Sequence, residues 1–205
     1  MIEISELETF NWKAAIRGMR NPKKSWAKSD SKYKHLVSLG SNDLKLMQTL
    51  IKAGSDHRKF MRQIFISMDI NAPLYWWKEF ETYKVGTVAN SESTMHMIHT
   101  EEIVSDMFSF DELDEDEVIS SLENLRLKYI ETKDKKYWRK LIQKLPSSFN
   151  QKRTISMNYE NMINMYYARK NHKLTEWVEF CDYMINTIPY GYELMKCRPE
   201  IKIEI

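Results

Sequence analysis

Apolar positions recur at helical spacing in "SNDLKLMQTLIKAG", where Leu44, Met47, Leu50 and Ile51 fall on one face. Ser41 or Asn42 suits the start of that helix and Gly54 its end. The period then changes. In "QIFISMDI" the residues Ile64, Ile66, Met68 and Ile70 alternate, which predicts a strand. Pro73 follows, a residue suited to a first helical turn, and Leu74, Trp77 and Phe80 repeat about one turn apart. Residues 86–94 are small and polar and read as a loop. A run of acids opens "DELDEDEVISSLENLRLKYI", favourable at a helix N-terminus, and Val118, Leu122, Leu125 and Tyr129 make its stripe. "DKKYWRKLIQKL" predicts a short basic helix stopped by Pro146, and a polar stretch follows it. "NYENMINMYYARK" is helical in pattern. "LTEWVEFCDYMINTI" is helical too, with Leu174, Trp177, Val178, Cys181, Met184, Ile185 and Ile188 on one side. "IKIEI" at the end suits a strand. The expected class is α+β, mostly helical with a small antiparallel or mixed sheet. At 205 residues, with no repeat or linker, one domain spanning 1–205 is expected.

Composition narrows the function classes. Net charge is only +2, so the whole molecule is not an evident nucleic-acid binder. The charge is uneven, however. Lys13, Arg17, Arg20, Lys23, Lys24, Lys28, Lys32 and Lys34 face a single acid, Asp30, and residues 111–117 hold six acids in seven positions. Such runs are solvated faces, anion sites or subunit contacts. The two cysteines make no framework, and Cys181 on a helical stripe reads as a buried thiol. With no signal-like start and no long apolar run, a soluble, reduced, cytoplasmic protein with no membrane contact is expected.

Candidate chemistry is sparse. His96 and His99 stand at i and i+3, but no third ligand at a standard spacing accompanies them, so no metal is expected. No P-loop, dinucleotide fingerprint or nucleophile elbow occurs. Asp56-His57 follows Gly54 and reads as a polar site pair or a helix cap. The 86–94 loop offers hydroxyls and backbone N–H groups of the kind that bind anions, or is an ordinary surface loop. Arg169, amid Met165, Tyr166 and Tyr167, either snorkels or forms an anion fork.

Two stretches together resemble the flavin-dependent thymidylate synthases. That family has a Pro-led segment, a Gln, an Arg-His-Arg, and then a Ser-x-Asn-Glu-x-Ser-x-Arg-Tyr run. Here Ala72-Pro73 leads, and the spacing carries through to Thr82-Tyr83-Lys84; one extra residue brings "NSESTMH" (90–96) onto the second half. Further on, Leu145-Pro146, Asn158 and Arg169 keep the family's separations, and "TEWVEF" follows. Upstream, "LIKAGSDHRKF" is similar to the family's helix, Gly and His before its first strand. The likeness spans about residues 42–188 and rests on order and spacing more than identity.

The resemblance implies an α+β homotetramer that methylates dUMP, or a related pyrimidine nucleotide, with methylenetetrahydrofolate, FAD and NADPH. It assigns the nucleotide to Ser93, Arg169, Glu79, Ser91 and Lys84. It assigns the flavin to Asn158, His57, Tyr83, Lys84 and Asn90. Thr82 and Tyr83 stand for the first Arg and the His of the motif, Lys84 for its last Arg, Glu79 for a Gln, and Met95 for a phosphate-facing Arg. Two readings follow. One is a divergent synthase. The other is a lapsed member that binds or sequesters a nucleotide, or a protein partner, without redox chemistry, as suits a phage or mobile element. A third, nucleic-acid binding through the basic 13–34 segment, ranks behind both.

Overall fold

The computed structural model describes residues 2–34, 36–111 and 115–198. The architecture is α+β, mostly helical, as the periodicity indicates. The elements run β1 (Glu3–Phe10), α1 (Trp12–Arg20), β2 (Lys32–Tyr33), β3 (Val37–Ser38), α2 (Ser41–Lys52), β4 (Phe65–Pro73), α3 (Leu74–Phe80), β5 (Val88–Ser91) and α4 (Thr94–Met97). They continue with α5 (Glu115–Thr132), α6 (Lys135–Lys144), β6 (Asn150–Asn158), α7 (Tyr159–Arg169), α8 (Thr175–Asn186) and α9 (Gly191–Met195). One sheet has the order β1–β4–β6–β5; the small antiparallel ribbon β2–β3 pairs Tyr33 with Val37.

Several elements lie where the pattern put them, and others differ. The alternation of β4 is borne out: Ile64, Ile66, Met68 and Ile70 are all buried. Pro73 is the N-cap of α3 rather than its first turn. The polar stretch after Pro146, given no element by the pattern, forms β6 from Asn150. The 86–94 segment likewise contains strand β5 and the start of α4. Neither Ser41 nor Asn42 caps α2. Its cap position is Gly40, and the carboxylate of Asp30 accepts from the backbone N–H of Asn42 at 2.9 Å and of Asp43 at 3.1 Å. "IKIEI" lies outside the described residues.

The chain divides into two compact units. The first comprises residues 1–4, 69–82 and 89–154. Its core joins Ile98, Ile103, Phe108, Leu122, Leu141 and Phe149, with Val118, Leu125 and Ile142 packed around them. Trp76 and Trp77 of α3 are fully buried, and the Trp77 indole N–H donates to the Gln151 carbonyl at 2.9 Å. The arginine of β6, Arg153, lies over the Trp77 ring at 4.4 Å and pairs with Glu81 at 2.6 Å.

The second unit comprises residues 5–68, 83–88 and 155–205. Trp12 packs edge-on to Tyr159, with ring centres 5.0 Å apart, and the Tyr159 hydroxyl donates to the Pro189 carbonyl at 2.7 Å. Around them lie buried methionines: Met47, Met61, Met68, Met157, Met162, Met165, Met184 and Met195. The basic segment is only partly a solvated face. Arg20 is buried and pairs with the fully buried Asp43 at 2.6 Å. Asp43 also accepts from Ser29 Oγ, from Ser31 Oγ and from the backbone N–H groups of Asp30 and Ser31. Residues 29–31 are thereby tied to α2.

Candidate functional site

In the second unit, the site begins with how α7 starts. Asn158 ends β6 and caps the helix: its side chain accepts from Asn161 N at 3.0 Å, and the Asn161 side chain accepts from Asn158 N at 3.3 Å. This reciprocal cap satisfies two backbone donors left open at a helix start. The Asn161 amide then donates to the Val85 carbonyl at 2.6 Å, fastening residues 83–88 to the cap. Gly86 makes that seat possible. Its φ is +76°, and a Cβ there would lie 2.9 Å from both Asn158 Nδ2 and Asn161 Oδ1. Thr87 Oγ1 donates to the Tyr83 carbonyl and closes the loop on itself.

The same loop reaches the far end of α7. Arg169, the helix's last residue, donates through Nε to the Tyr83 hydroxyl at 2.9 Å. Its guanidinium carbon lies 5.6 Å from the centre of the Tyr83 ring and 4.8 Å from that of Trp177. Two aromatic faces so placed hold a planar cation by cation–π attraction. Arg169 Nη1 is 2.9 Å from His172 Nε2, and the Leu174 N–H donates to His172 Nδ1 at 3.1 Å. Both ring nitrogens thus face donors, whereas a neutral imidazole can accept at only one. Lys170, next in the chain, lies over the Tyr166 and Tyr167 rings. Beside this cluster Cys181 is inert: burial pushes its thiol up to about 12, the charge of Asp182 adds to the rise, and Arg169 offsets only part of it.

A second polar cluster surrounds Glu160, in the first turn of α7. The buried Arg58 donates to it at 3.0 Å, and Arg62 pairs with it from the surface. Asn164 accepts from Arg58 at 3.4 Å and from Arg198 at 3.1 Å. Burial, and then the charge of Arg58, holds the Arg198 guanidinium below its ordinary range. Three guanidiniums around one carboxylate leave a positive surplus. His57 is exposed next to Arg58 in the chain, and Lys84 is exposed in the 83–88 loop.

The remaining assigned residues belong to the first unit. Glu79 is half-buried on α3, Asn90 and Ser91 are exposed on β5, and Ser93 is the exposed N-cap of α4 without a side-chain cap bond. Met95 is 57% exposed. Nearby, the buried Gln151 donates to the Glu92 carbonyl and to Thr94 Oγ1, both at 3.1 Å. His96 is exposed and the His99 ring packs against Tyr129; among the described residues no three His, Cys, Asp or Glu side chains gather as a metal site. No helix among them is long and apolar enough to cross a membrane.

The structure therefore joins Tyr83 with Arg169, and Asn158 with the loop that carries Lys84. It places Ser91, Ser93 and Asn90 on one short stretch. Sequence reasoning missed Trp177 and His172 as partners of Arg169. Trp177 looked like one more apolar position of α8, and only its aromatic face distinguishes it. His172, three residues after Arg169, had no motif to announce it.

No protein-family model and no curated protein matches the chain. Solved structures do. ThyX from Helicobacter pylori, described with FAD and dUMP, superposes with a TM-score of 0.76 at 16% identity, covering 98% of this chain and 100% of that one. The fold is that of the flavin-dependent thymidylate synthases. A second H. pylori ThyX structure, also complexed with FAD and dUMP, gives 0.75 at 16% identity over 96% of this chain and all of its own. The UMP/dUMP methylase PolB from Streptomyces cacaoi, bound with 5-Br dUMP, gives 0.63 at 12%, covering 96% and 94%. On this thymidylate synthase fold, three of the residues that the resemblance assigns to a flavin carry donors of a suitable kind. Lys84 and His57 are exposed, and Asn158 Nδ2 makes no hydrogen bond among the described residues. N–H donors of this kind suit phosphate and ring carbonyl oxygens.

Proposed function

We propose that the chain binds a pyrimidine nucleotide of the dUMP type and acts as a divergent flavin-dependent methylase of it. The observation that carries the reading is Arg169, presented at the end of α7 between Tyr83 and Trp177, in a fold whose solved members are described with dUMP. A guanidinium already held by the Tyr83 hydroxyl and beside the Trp177 ring loses little freedom on meeting an oxyanion, and its fork matches phosphate or carbonyl oxygens. Residues His57, Lys84, Asn158 and Tyr83 would hold FAD; Asn90, Ser91, Ser93 and Glu79 enter through the resemblance alone. FAD, when bound, supplies the hydride chemistry, with NADPH as reductant and methylenetetrahydrofolate as carbon donor. The chain's own contribution is to bind and orient. Arg169 neutralises the ligand's charge, Tyr83 and Trp177 hold its plane, and the Asn158–Asn161 cap keeps the loop seated. A single domain and a homotetramer belong to the same reading.

The second reading is a nucleotide-binding scaffold without redox chemistry. What favours it is the exposed, uncharged Met95 where the family carries a cation, together with Tyr83 engaged by Arg169 where the family carries a His. One experiment separates the two. FAD is added to purified protein, excess is desalted away, and absorbance is read between 300 and 550 nm, with dUMP titrated in parallel by calorimetry. Retained flavin bands that bleach with NADPH support the methylase. A colourless protein that still binds dUMP supports the scaffold. In either case Arg169→Ala weakens dUMP binding by roughly tenfold to a hundredfold, the worth of one charge-assisted hydrogen bond. Unchanged dUMP affinity in that variant overturns the role given to Arg169.

A further inference from the structure

We propose that the segment from Lys23 to Lys34 is a binding surface for single-stranded nucleic acid. The nucleotide reading leaves this segment unused. It carries five lysines and one aspartate in a chain whose net charge is only +2. Lys23, Lys24, Lys28, Lys32 and Lys34 are all exposed, and none forms an ion pair among the described residues. The lone acid, Asp30, does not neutralise them: its carboxylate is turned onto the start of α2, accepting from Asn42 and Asp43.

An aromatic face stands among these cations. Trp26 opens a short 3-10 turn, Trp26–Lys28, just after another at Asn21–Lys23, and is 48% exposed. Its indole N–H donates to Asn21 Oδ1 at 2.8 Å, which fixes the ring. The backbone beneath is equally fixed, because the buried Asp43 gathers Ser29, Asp30 and Ser31 while Arg20 neutralises it. Ordering costs on binding are therefore largely met in advance. Unpaired lysines flanking one exposed, immobilised ring provide both elements of sequence-tolerant single-strand recognition: cations for the phosphates and a stacking platform for a base. An anionic membrane would also attract the lysines, but one half-exposed tryptophan offers little apolar area to bury in a bilayer interface.

The test is fluorescence anisotropy of the full chain with a labelled oligothymidylate of about 20 nucleotides, a length covering a typical single-strand site. Salt is varied between about 50 and 200 mM. Binding should weaken steeply with salt. The exposed triple change Lys23→Gln/Lys24→Gln/Lys28→Gln should flatten the log–log salt slope by about 2, at ~0.7 per phosphate contact. Trp26→Ala should weaken binding about tenfold with little change in slope, and Trp26→Phe should restore most of it. Dissociation constants for dUMP should be the same in all three variants, so failure here is distinct from failure of the nucleotide reading. The proposal is overturned by any of three results. One is no binding at the lowest salt. Another is binding that these variants leave intact while Lys135→Gln/Arg139→Gln/Lys140→Gln on α6 removes it. The last is capture by phosphatidylserine vesicles, sensitive to the same variants, without capture of the oligonucleotide.

Discussion

Asp43 shows how much one side chain can organise. It is fully buried, yet it remains a carboxylate. Burial alone would raise its pKa, but hydrogen bonds from Ser31, Ser29 and Arg20, with the charge of Arg20, outweigh that and hold it below the ordinary range. Asp43→Asn leaves Arg20 buried without its charge partner and should cost about 3–5 kcal/mol, read as a lower urea midpoint. The pH dependence has a definite sign. The folded value lies below the unfolded one, so the stabilisation is complete above the ordinary aspartate value of about 3.9 and disappears as pH falls through the lowered value. The gap in stability between the native chain and Asp43→Asn should therefore narrow in acid, and a constant gap from pH 7 to pH 3 would contradict this account. None of it was legible in the sequence. Asp43 looked like one acid near a helix start, and its partners come from residues 20 and 29–31, outside any capping pattern. Arg169, by contrast, stood out in the sequence by its separation from Asn158, while the rings beside it come from positions 83 and 177.

Among the elements, the long periodic ones were readable and the ones with polar interiors were not. Helices α2, α5, α6, α7 and α8 declare themselves because each buries an apolar stripe. Strand β6 hides because its first buried position is Gln151, whose amide serves Glu92 and Thr94 rather than an apolar core. All four residues of β5 are exposed, so no alternation marks it. The 83–88 loop is the element on which the site depends, and Gly86 is its weak point. Gly86→Ala combines a positive φ with a collision against the α7 cap. It should cost about 1–2 kcal/mol in loop strain. The expected readout is weaker dUMP binding with a thermal midpoint lowered by only a few degrees. A variant with unaltered affinity would show that the loop's seat on α7 is dispensable.

Across the whole molecule, both units bury branched and aromatic side chains, and the second buries many methionines as well. In the first, Leu122 of α5, 1% exposed, belongs to the buried cluster against which Val118 and Leu125 pack. Leu122→Ala should destabilise by about 2–5 kcal/mol, the usual cost of a cavity at a buried leucine, checked by urea unfolding. The second unit adds eight buried methionines, among the described residues, to its buried isoleucines and aromatic rings. The sequence signalled only that methionine is abundant, since composition does not say which side chains turn inward. Methionine is unbranched and polarisable, so it adapts its shape to altered neighbours at small cost. A core rich in such residues can absorb change after change around it while the backbone holds its course. That tolerance offers a physical account of how a chain only 16% identical to a structural neighbour can share its fold.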